Sequence, residues 1–225
     1  MKDLKTAKLG KCVCGKTKDP NGNCDGSHAD GRKKNSKKII SALMAIAFAF
    51  FSFQSFAKSV DGVVKVKDAK IIWKGFKVTG AHEGLIDLDS GTLEFKDGEL
   101  IGGAFNVDMN SLTCTDLSGQ YRSKLEGHLK SSDFFDTENH KESILKITKV
   151  TKADNSSYNI EADLTIKGIS EKIEFVSSIY GNKATSSMKI DRTKYGIEYG
   201  SGSVFKSLGD KMIYDEFELI IDLNY

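Results

Sequence analysis

The amino-acid sequence predicts an all-β, antiparallel fold for residues 59–225. Three observations support this class: runs of β-forming residues in which apolar and polar side chains alternate, turn residues at hairpin spacing between the runs, and the absence of proline after Pro20. Parallel neighbours need long crossover connections, so the short spacing between runs requires antiparallel pairing.

Nine runs carry this pattern. They span residues 70–78, 85–88, 92–95, 99–109, 144–150, 158–166, 172–180, 185–190 and 214–223. In the last run the apolar residues Phe217, Leu219, Ile221 and Leu223 lie on one face, which predicts a strand with one face turned to the interior. Residues 89–91, 96–98, 154–157 and 180–182 are rich in Gly, Asp, Asn and Ser and are predicted to be turns.

One segment departs from the strand pattern. Tyr121, Leu125 and Leu129 recur at four-residue intervals, which predicts a short amphipathic helix over residues 120–129. Eight or nine antiparallel strands must protect their edges. Closure into a barrel does this, and an eight-stranded barrel has room for one small or elongated ligand. A two-sheet sandwich with a solid core is the alternative, and periodicity does not choose between the two.

Charge divides the chain into unlike parts. Residues 1–38 hold eleven Lys and Arg against four Asp and Glu, a charge of +7, and residues 39–57 are uncharged. Because the whole chain carries +2, residues 58–225 carry −5. This acidic part has no basic stripe along which phosphates could bind, so nucleic acid is not an expected partner. The sequence leaves the oligomeric state open, a homodimer included.

The uncharged segment, residues 39–57 (IISALMAIAFAFFSFQSFA), follows a lysine-rich stretch. This order is typical of a secretory signal, with cleavage expected after Ala57. The segment is also long enough to remain as a membrane anchor, which would hold the N-terminus in the cytoplasm. A buried helix of a globular domain is the third interpretation. We therefore expect three parts: 1–31, a short N-terminal motif; 32–57, the basic region with the signal or anchor; and 58–225, the barrel, located in the periplasm or cell envelope.

Four motifs in order resemble the YceI family of lipid- or polyisoprenoid-binding barrels. They are KLEGHLKSSDFFD at 124–136, DLTIKGI at 163–169, IDRTKYGI at 190–197 and LGDK at 208–211. The resemblance implies an eight-stranded, lipocalin-like barrel with an apolar tunnel that holds a long-chain isoprenoid or similar amphiphile. Candidates for the tunnel lining are the apolar residues Trp73, Phe76, Phe105, Leu129, Phe134, Phe135, Leu164, Ile166 and Phe175. Ordinary core packing is the alternative role for each of them.

The N-terminal segment CVCGKTKDPNGNCDGSH, residues 12–28, resembles the CDGSH-type iron–sulfur motif. Cys12, Cys14, Cys24 and His28 are the candidate ligands, since three thiolates and one imidazole suit a [2Fe–2S] cluster. A zinc site and a metal-free tail are the alternatives.

We compare three functions. The first is a non-enzymatic lipid-binding barrel, and the second is a membrane-tethered redox protein that couples the cluster to a quinone-like isoprenoid. The third is an enzyme acting on lipids through His128 or His140, although no catalytic motif accompanies either residue. Asp191 and Arg192 are expected to form either a structural ion pair or a polar contact for a lipid head. Cys114 is expected to be a small buried residue.

Overall fold

The computed structural model describes residues 20–21 and 61–225. The chain divides into two units, Met1–Lys58 and Ser59–Tyr225, and all the described helices and strands belong to the second unit. In this part of the chain, no helix has the length and apolar character needed to cross a membrane. The motif of residues 12–28 and the apolar segment of residues 39–57 lie outside the described residues.

Nine strands and three helical segments make up the described fold. The strands are β1 Gly62–Lys65, β2 Asp68–Lys77, β3 Gly80–Lys96, β4 Glu99–Cys114, β5 Glu142–Lys152, β6 Ser157–Ile166, β7 Ile169–Tyr180, β8 Lys183–Asp191 and β9 Ile213–Asn224. The helix α1 spans Gly119–Lys130, and two short 3-10 helices span Arg192–Tyr195 and Gly209–Lys211.

Strands β2 to β9 form a closed antiparallel barrel. Each strand pairs with the next along the chain, and β9 pairs with β2, so the eighth strand returns to the first. The first half of β3 pairs with β2 and its second half pairs with β1, which therefore extends the wall beside β2. The prediction of an antiparallel eight-stranded barrel with a short helix is confirmed, and the sandwich alternative is wrong.

Two sequence predictions about the region of β3 were wrong. Residues 85–88 and 92–95 were expected to be separate strands joined by a turn at 89–91, but β3 continues through them. The pairing of β3 with β4 shifts register between Leu88 and Ser90, so a bulge takes up the residues that resemble a turn. Gly91 belongs there because a Cβ at that position would lie 2.9 Å from the Phe105 ring. Strand β1, with four residues, was not predicted.

The two ends of the barrel differ in their connections. At one end, which we call the hairpin end, tight turns join β3 to β4, β5 to β6 and β7 to β8. The turn at Asp97 and Gly98 has φ of 54° and 79°, the left-handed pair that two-residue hairpins favour. At the opposite end, the helix end, tight turns join β2 to β3 and β6 to β7, and the two long connections carry α1 and both 3-10 helices. The barrel is therefore built to present different surfaces at its two ends.

An apolar cavity inside the barrel

The interior of the barrel contains a cavity of about 390 Å³. Many inward-facing apolar side chains on its wall are only half-buried, although they point away from the outer surface. These are Leu88, Phe105, Val107, Leu145, Phe175, Phe217, Leu219 and Ile221. A solid core would bury such side chains almost completely. The barrel is therefore hollow over its middle section.

All nine residues proposed for the lining lie on the wall of this cavity: Trp73, Phe76, Phe105, Leu129, Phe134, Phe135, Leu164, Ile166 and Phe175. The structure thus brings them together, while their contact with a ligand remains a prediction. Sequence reasoning missed several further wall residues, namely Ile71, Leu88, Leu145, Met188, Leu219 and Ile221. The signal that would have found Leu219 and Ile221 was the alternation in β9, which identified their shared face but not the space in front of it.

Three polar side chains on the cavity wall donate hydrogen bonds within the protein. The Ser143 hydroxyl donates to the carbonyl of Thr165 at 2.9 Å, and the Ser177 hydroxyl donates to the carbonyl of Thr185 at 3.3 Å. The Trp73 indole N–H donates to the carbonyl of Thr113 at 3.0 Å. Each of these donors is thus turned toward a main-chain carbonyl of another strand, which leaves this part of the wall apolar toward the cavity.

Three aromatic residues close the hairpin end. Phe95, Tyr158 and Tyr225 are each 5% exposed, and none of them lines the cavity. The rings of Phe95 and Tyr225 pack with their centroids 5.3 Å apart. The Tyr225 hydroxyl donates to the carbonyl of Gly181 at 3.0 Å, which ties the ring to the β7–β8 turn. We call these three residues the floor of the cavity.

The helix end forms the mouth of the cavity. Helix α1 contributes Leu125, His128 and Leu129 to the lining, and the loop before β9 contributes Tyr199, which is 49% exposed. The His128 ring packs edge-on against Tyr199, with centroids 4.5 Å apart, and also contacts Phe134. Its Nε2 atom is buried and has no hydrogen-bond partner. His128 therefore offers an unused polar atom at the mouth of an apolar cavity.

Arg192 is 2% exposed and lies beside the mouth. Its guanidinium donates to the carbonyls of Ile197 at 2.7 Å, Ile213 at 3.1 Å and Tyr214 at 3.2 Å, and its carbon lies 5.5 Å from the centroid of Phe134. Burial lowers the pKa of Arg192. These bonds fasten the loop after β8 to the start of β9, so the main role of Arg192 is structural.

The expected pairing of Asp191 with Arg192 takes a different form. Asp191 accepts hydrogen bonds from the main-chain N–H and the hydroxyl of Thr193, at 3.0 and 2.6 Å, and so begins the 3-10 helix. The carboxylate nearest to Arg192 is Asp215, whose Oδ1 lies 3.6 Å from Nη2. A short polar side chain before a helical turn commonly satisfies the first free N–H groups, which explains why Asp191 serves the turn.

A polar cluster at the helix end of β3 and β4 consists of Cys114, Asp116 and His82. The Cys114 thiol donates to Asp116 at 3.0 Å, and His82 Nδ1 lies 2.9 Å from the other Asp116 oxygen. Burial, and then the bond to Asp116, raises the pKa of Cys114, which keeps the thiol protonated and unreactive. As expected from the sequence, Cys114 is a small buried residue, with no exposed surface.

The histidines lie in separate settings. His82 pairs with Asp116, His128 packs against aromatic rings, and His140 Nε2 lies 3.9 Å from Asp136. Among residues 61–225, no group of three or more His, Cys, Asp or Glu side chains is placed to hold a metal ion. The candidate metal ligands Cys12, Cys14, Cys24 and His28 lie outside the described residues.

Closure of eight antiparallel strands around an apolar cavity defines a barrel of the ligand-enclosing class. The chain belongs to the YceI-like family, since residues 49–225 match the YceI-like domain. Comparison with curated protein sequences found no match.

Solved structures with a similar fold include BcnA of Burkholderia cenocepacia, at a TM-score of 0.55 and 18% identity, covering 69% of this chain and 94% of that one. A polyisoprenoid binding domain from Saccharophagus degradans is similar at a TM-score of 0.52 and 12% identity, covering 73% of this chain and 97% of that one. At these identities the likeness concerns the fold.

Proposed function

We propose that residues 58–225 form an exported, non-enzymatic barrel that holds one isoprenoid or similar long-chain amphiphile in its cavity. The observation that carries this proposal is the hollow, apolar interior, in which the Trp73 indole and the Ser143 hydroxyl are already bonded within the protein. Membership of the YceI-like family and the fold shared with a polyisoprenoid binding domain support the choice of ligand.

The energetics favour a chain-like apolar ligand. Each methylene moved from water into such a cavity contributes about 0.8 kcal/mol. A ligand with polar groups along its length would lose their hydration without compensation, because the Ser143, Ser177 and Trp73 donors already have partners. The wall therefore selects for an uninterrupted hydrocarbon chain.

The polar head of the amphiphile lies at the helix end in this proposal. His128 Nε2 is buried without a partner there, and a hydroxyl or carbonyl of a ligand head would satisfy it. Since Tyr199 and Tyr214 are about half exposed beside the mouth, the head also remains close to water. The ligand would thus enter with its tail toward the hairpin end.

Native mass spectrometry tests the proposal. The full-length protein, purified from cells without detergent, is expected to carry one apolar molecule, which organic solvent extracts and mass spectrometry identifies. A protein that carries no lipid and also fails to bind added farnesol would refute the proposal. The mass of the mature chain in the same spectrum would show whether the chain is cut after Ala57.

We also propose that Cys12, Cys14, Cys24 and His28 bind a [2Fe–2S] cluster, with zinc as the competing metal. The support is the ligand pattern itself. If residues 39–57 remain as a membrane anchor, the cluster and a quinone-like isoprenoid would belong to one membrane-tethered redox protein. Iron and acid-labile sulfide in the purified full-length protein, lost in a Cys24→Ala variant but kept in Cys114→Ala, are the expected result. Purified protein free of iron and sulfide would contradict it.

A further inference from the structure

The cavity is closed at its hairpin end, and this closure has a consequence for the ligand. The deepest wall residues include Leu93, Leu100, Ala184 and Leu223. Beyond them along β3, the next inward residue after Leu93 is Phe95, which is buried but does not contact the cavity.

The same change, from a residue that lines the cavity to a buried aromatic residue beyond it, occurs on two other strands. On β6, Ile160 lines the cavity, whereas Tyr158, two residues nearer the hairpin end, does not. At the end of β9, Leu223 lines the cavity and Tyr225 lies beyond it. Three separate parts of the barrel thus place an aromatic ring at the same level, so the floor spans the barrel rather than one side of it.

Further contacts hold the floor in place. The main-chain N–H of Tyr225 donates to the carbonyl of Asn182 at 2.9 Å, and Lys67 Nζ donates to the main-chain oxygen of Tyr225 at 3.0 Å. Val64 and Val66, on and just after β1, pack against the same cluster of side chains. The three side chains of the floor are therefore held in a bonded and packed layer.

We infer that the floor formed by Phe95, Tyr158 and Tyr225 makes the cavity blind-ended and limits the length of tail that the barrel buries. The floor fixes the depth of the cavity, so isoprene units beyond that depth cannot be buried. Affinity rises with tail length up to this limit, and the remainder of a longer tail stays outside the cavity.

This inference rests on the proposed function, and prenyl alcohols of increasing length test it. Trp73 is the only tryptophan of the chain and lines the cavity, so its fluorescence reports binding. We expect farnesol to bind the full-length protein at least about tenfold more tightly than geraniol, because each added methylene within the cavity contributes about fourfold. From farnesol to geranylgeraniol and longer alcohols, the affinity is expected to rise until the tail reaches the floor, after which a further isoprene unit changes it by less than about twofold.

Two variants move the limit in opposite directions. Tyr225→Ala removes one floor ring while its main-chain bonds remain, and the affinity is then expected to rise at least about tenfold further for one isoprene unit beyond the limit of the unmodified protein. Ala184→Leu fills the deepest part of the cavity, and the affinity is then expected to stop rising at a shorter alcohol than in the unmodified protein. Tyr180→Ala is the matched control, since Tyr180 is a tyrosine at the same end of the barrel that is 53% exposed. Its affinities are expected to match those of the unmodified protein.

The outcomes separate the two claims. If the unmodified protein binds none of the alcohols, the proposed function itself is refuted. If it binds them with an affinity that keeps rising up to the longest alcohol, the barrel binds lipid but is not blind-ended. If Tyr225→Ala unfolds, Ala184→Leu still decides, because an unchanged length limit in that variant would overturn the role of the hairpin end.

Discussion

A lysine placed on the cavity wall distinguishes a hollow barrel from a packed one. Leu219 lines the cavity and is half-buried, and its strand neighbours Trp73 and Met188 also line it. In the empty protein, the ammonium of Leu219→Lys can remain hydrated inside the cavity, so the substitution is expected to lower the free energy of unfolding by less than about 1.5 kcal/mol.

Ligand binding is expected to suffer far more. A bound tail would lose its contact with the leucine, about 1.5–3 kcal/mol, and would also strip water from the new charge. We therefore expect the dissociation constant for farnesol to rise at least about 100-fold, which corresponds to about 2.7 kcal/mol. The assay is a titration followed by Trp73 fluorescence, combined with urea unfolding followed by circular dichroism.

Two companion variants complete the experiment. Ile220→Lys places the same charge on the adjacent residue, on the opposite face of β9, and is expected to leave binding within about twofold. Ile190→Lys places it where the structure is packed and 2% exposed, and is expected to cost more than about 4 kcal/mol. If Leu219→Lys unfolds the protein as severely as Ile190→Lys, the interior is solid and the argument for a cavity fails.

Three further predictions concern the walls that shape the cavity. A Cβ at Gly84 would lie 1.8 Å from the carbonyl oxygen of Thr113, so Gly84→Ala is expected to lower the midpoint of urea unfolding markedly. Gly75→Ala is the control, because a Cβ at Gly75 meets nothing within 4 Å. Equal midpoints in the two variants would contradict the reasoning. Arg192→Met removes the donor of three main-chain carbonyls, one of them fully buried, and is expected to destabilise the barrel by about 3–5 kcal/mol. The exposed Lys194→Met is expected to change stability by less than about 0.5 kcal/mol, and similar losses in both variants would refute the structural role of Arg192. Hydrogen bonds from the main-chain N–H of Cys114, and then from Arg122, lower the pKa of Glu126 below its ordinary value of 4.5. The contribution of Glu126 to stability is therefore present above pH 4.5 and is lost as the pH falls through the lower pKa of the folded state. Glu126→Gln is expected to flatten the acid limb of the profile of unfolding free energy against pH, and an unchanged profile would contradict this.

The class of fold was predictable because strand signals and turn signals agree along most of the chain. Alternation in β9 placed Phe217, Leu219 and Ile221 on one face, and the four-residue spacing in 120–129 predicted the helix observed at Gly119–Lys130. Closure into a barrel did not follow from periodicity, since a sandwich has the same alternation. It follows from the pairing of β2 with β9, which joins residues about 150 positions apart.

The middle of β3 was mispredicted because a bulge and a turn use the same residues. Asp89, Ser90 and Gly91 are typical of a hairpin turn, yet the register shift against β4 accommodates them within one strand. Only the long-range pairing decides between the two. The glycine serves the close approach of Phe105 rather than a turn.

The candidate site was predictable in composition but not in shape. Large apolar residues on inward faces could be nominated from the sequence, and all nine lie on the cavity wall. Whether such residues fill an interior or surround a space depends on the sum of their volumes within a given barrel, which no local pattern contains. The floor was missed for the same reason, because Phe95, Tyr158 and Tyr225 come from three distant parts of the chain.

The occupancy of the cavity by an apolar chain is tested most directly by NMR on the full-length protein with bound farnesol. We expect nuclear Overhauser contacts from the farnesol methyl groups to the side chains of Leu145, Met188 and Leu219, which line the cavity. No contacts are expected to Ile144 and Val176, which are 43% and 52% exposed. Contacts restricted to these outward-facing residues, or none at saturating farnesol, would contradict the assignment of the cavity as the ligand site.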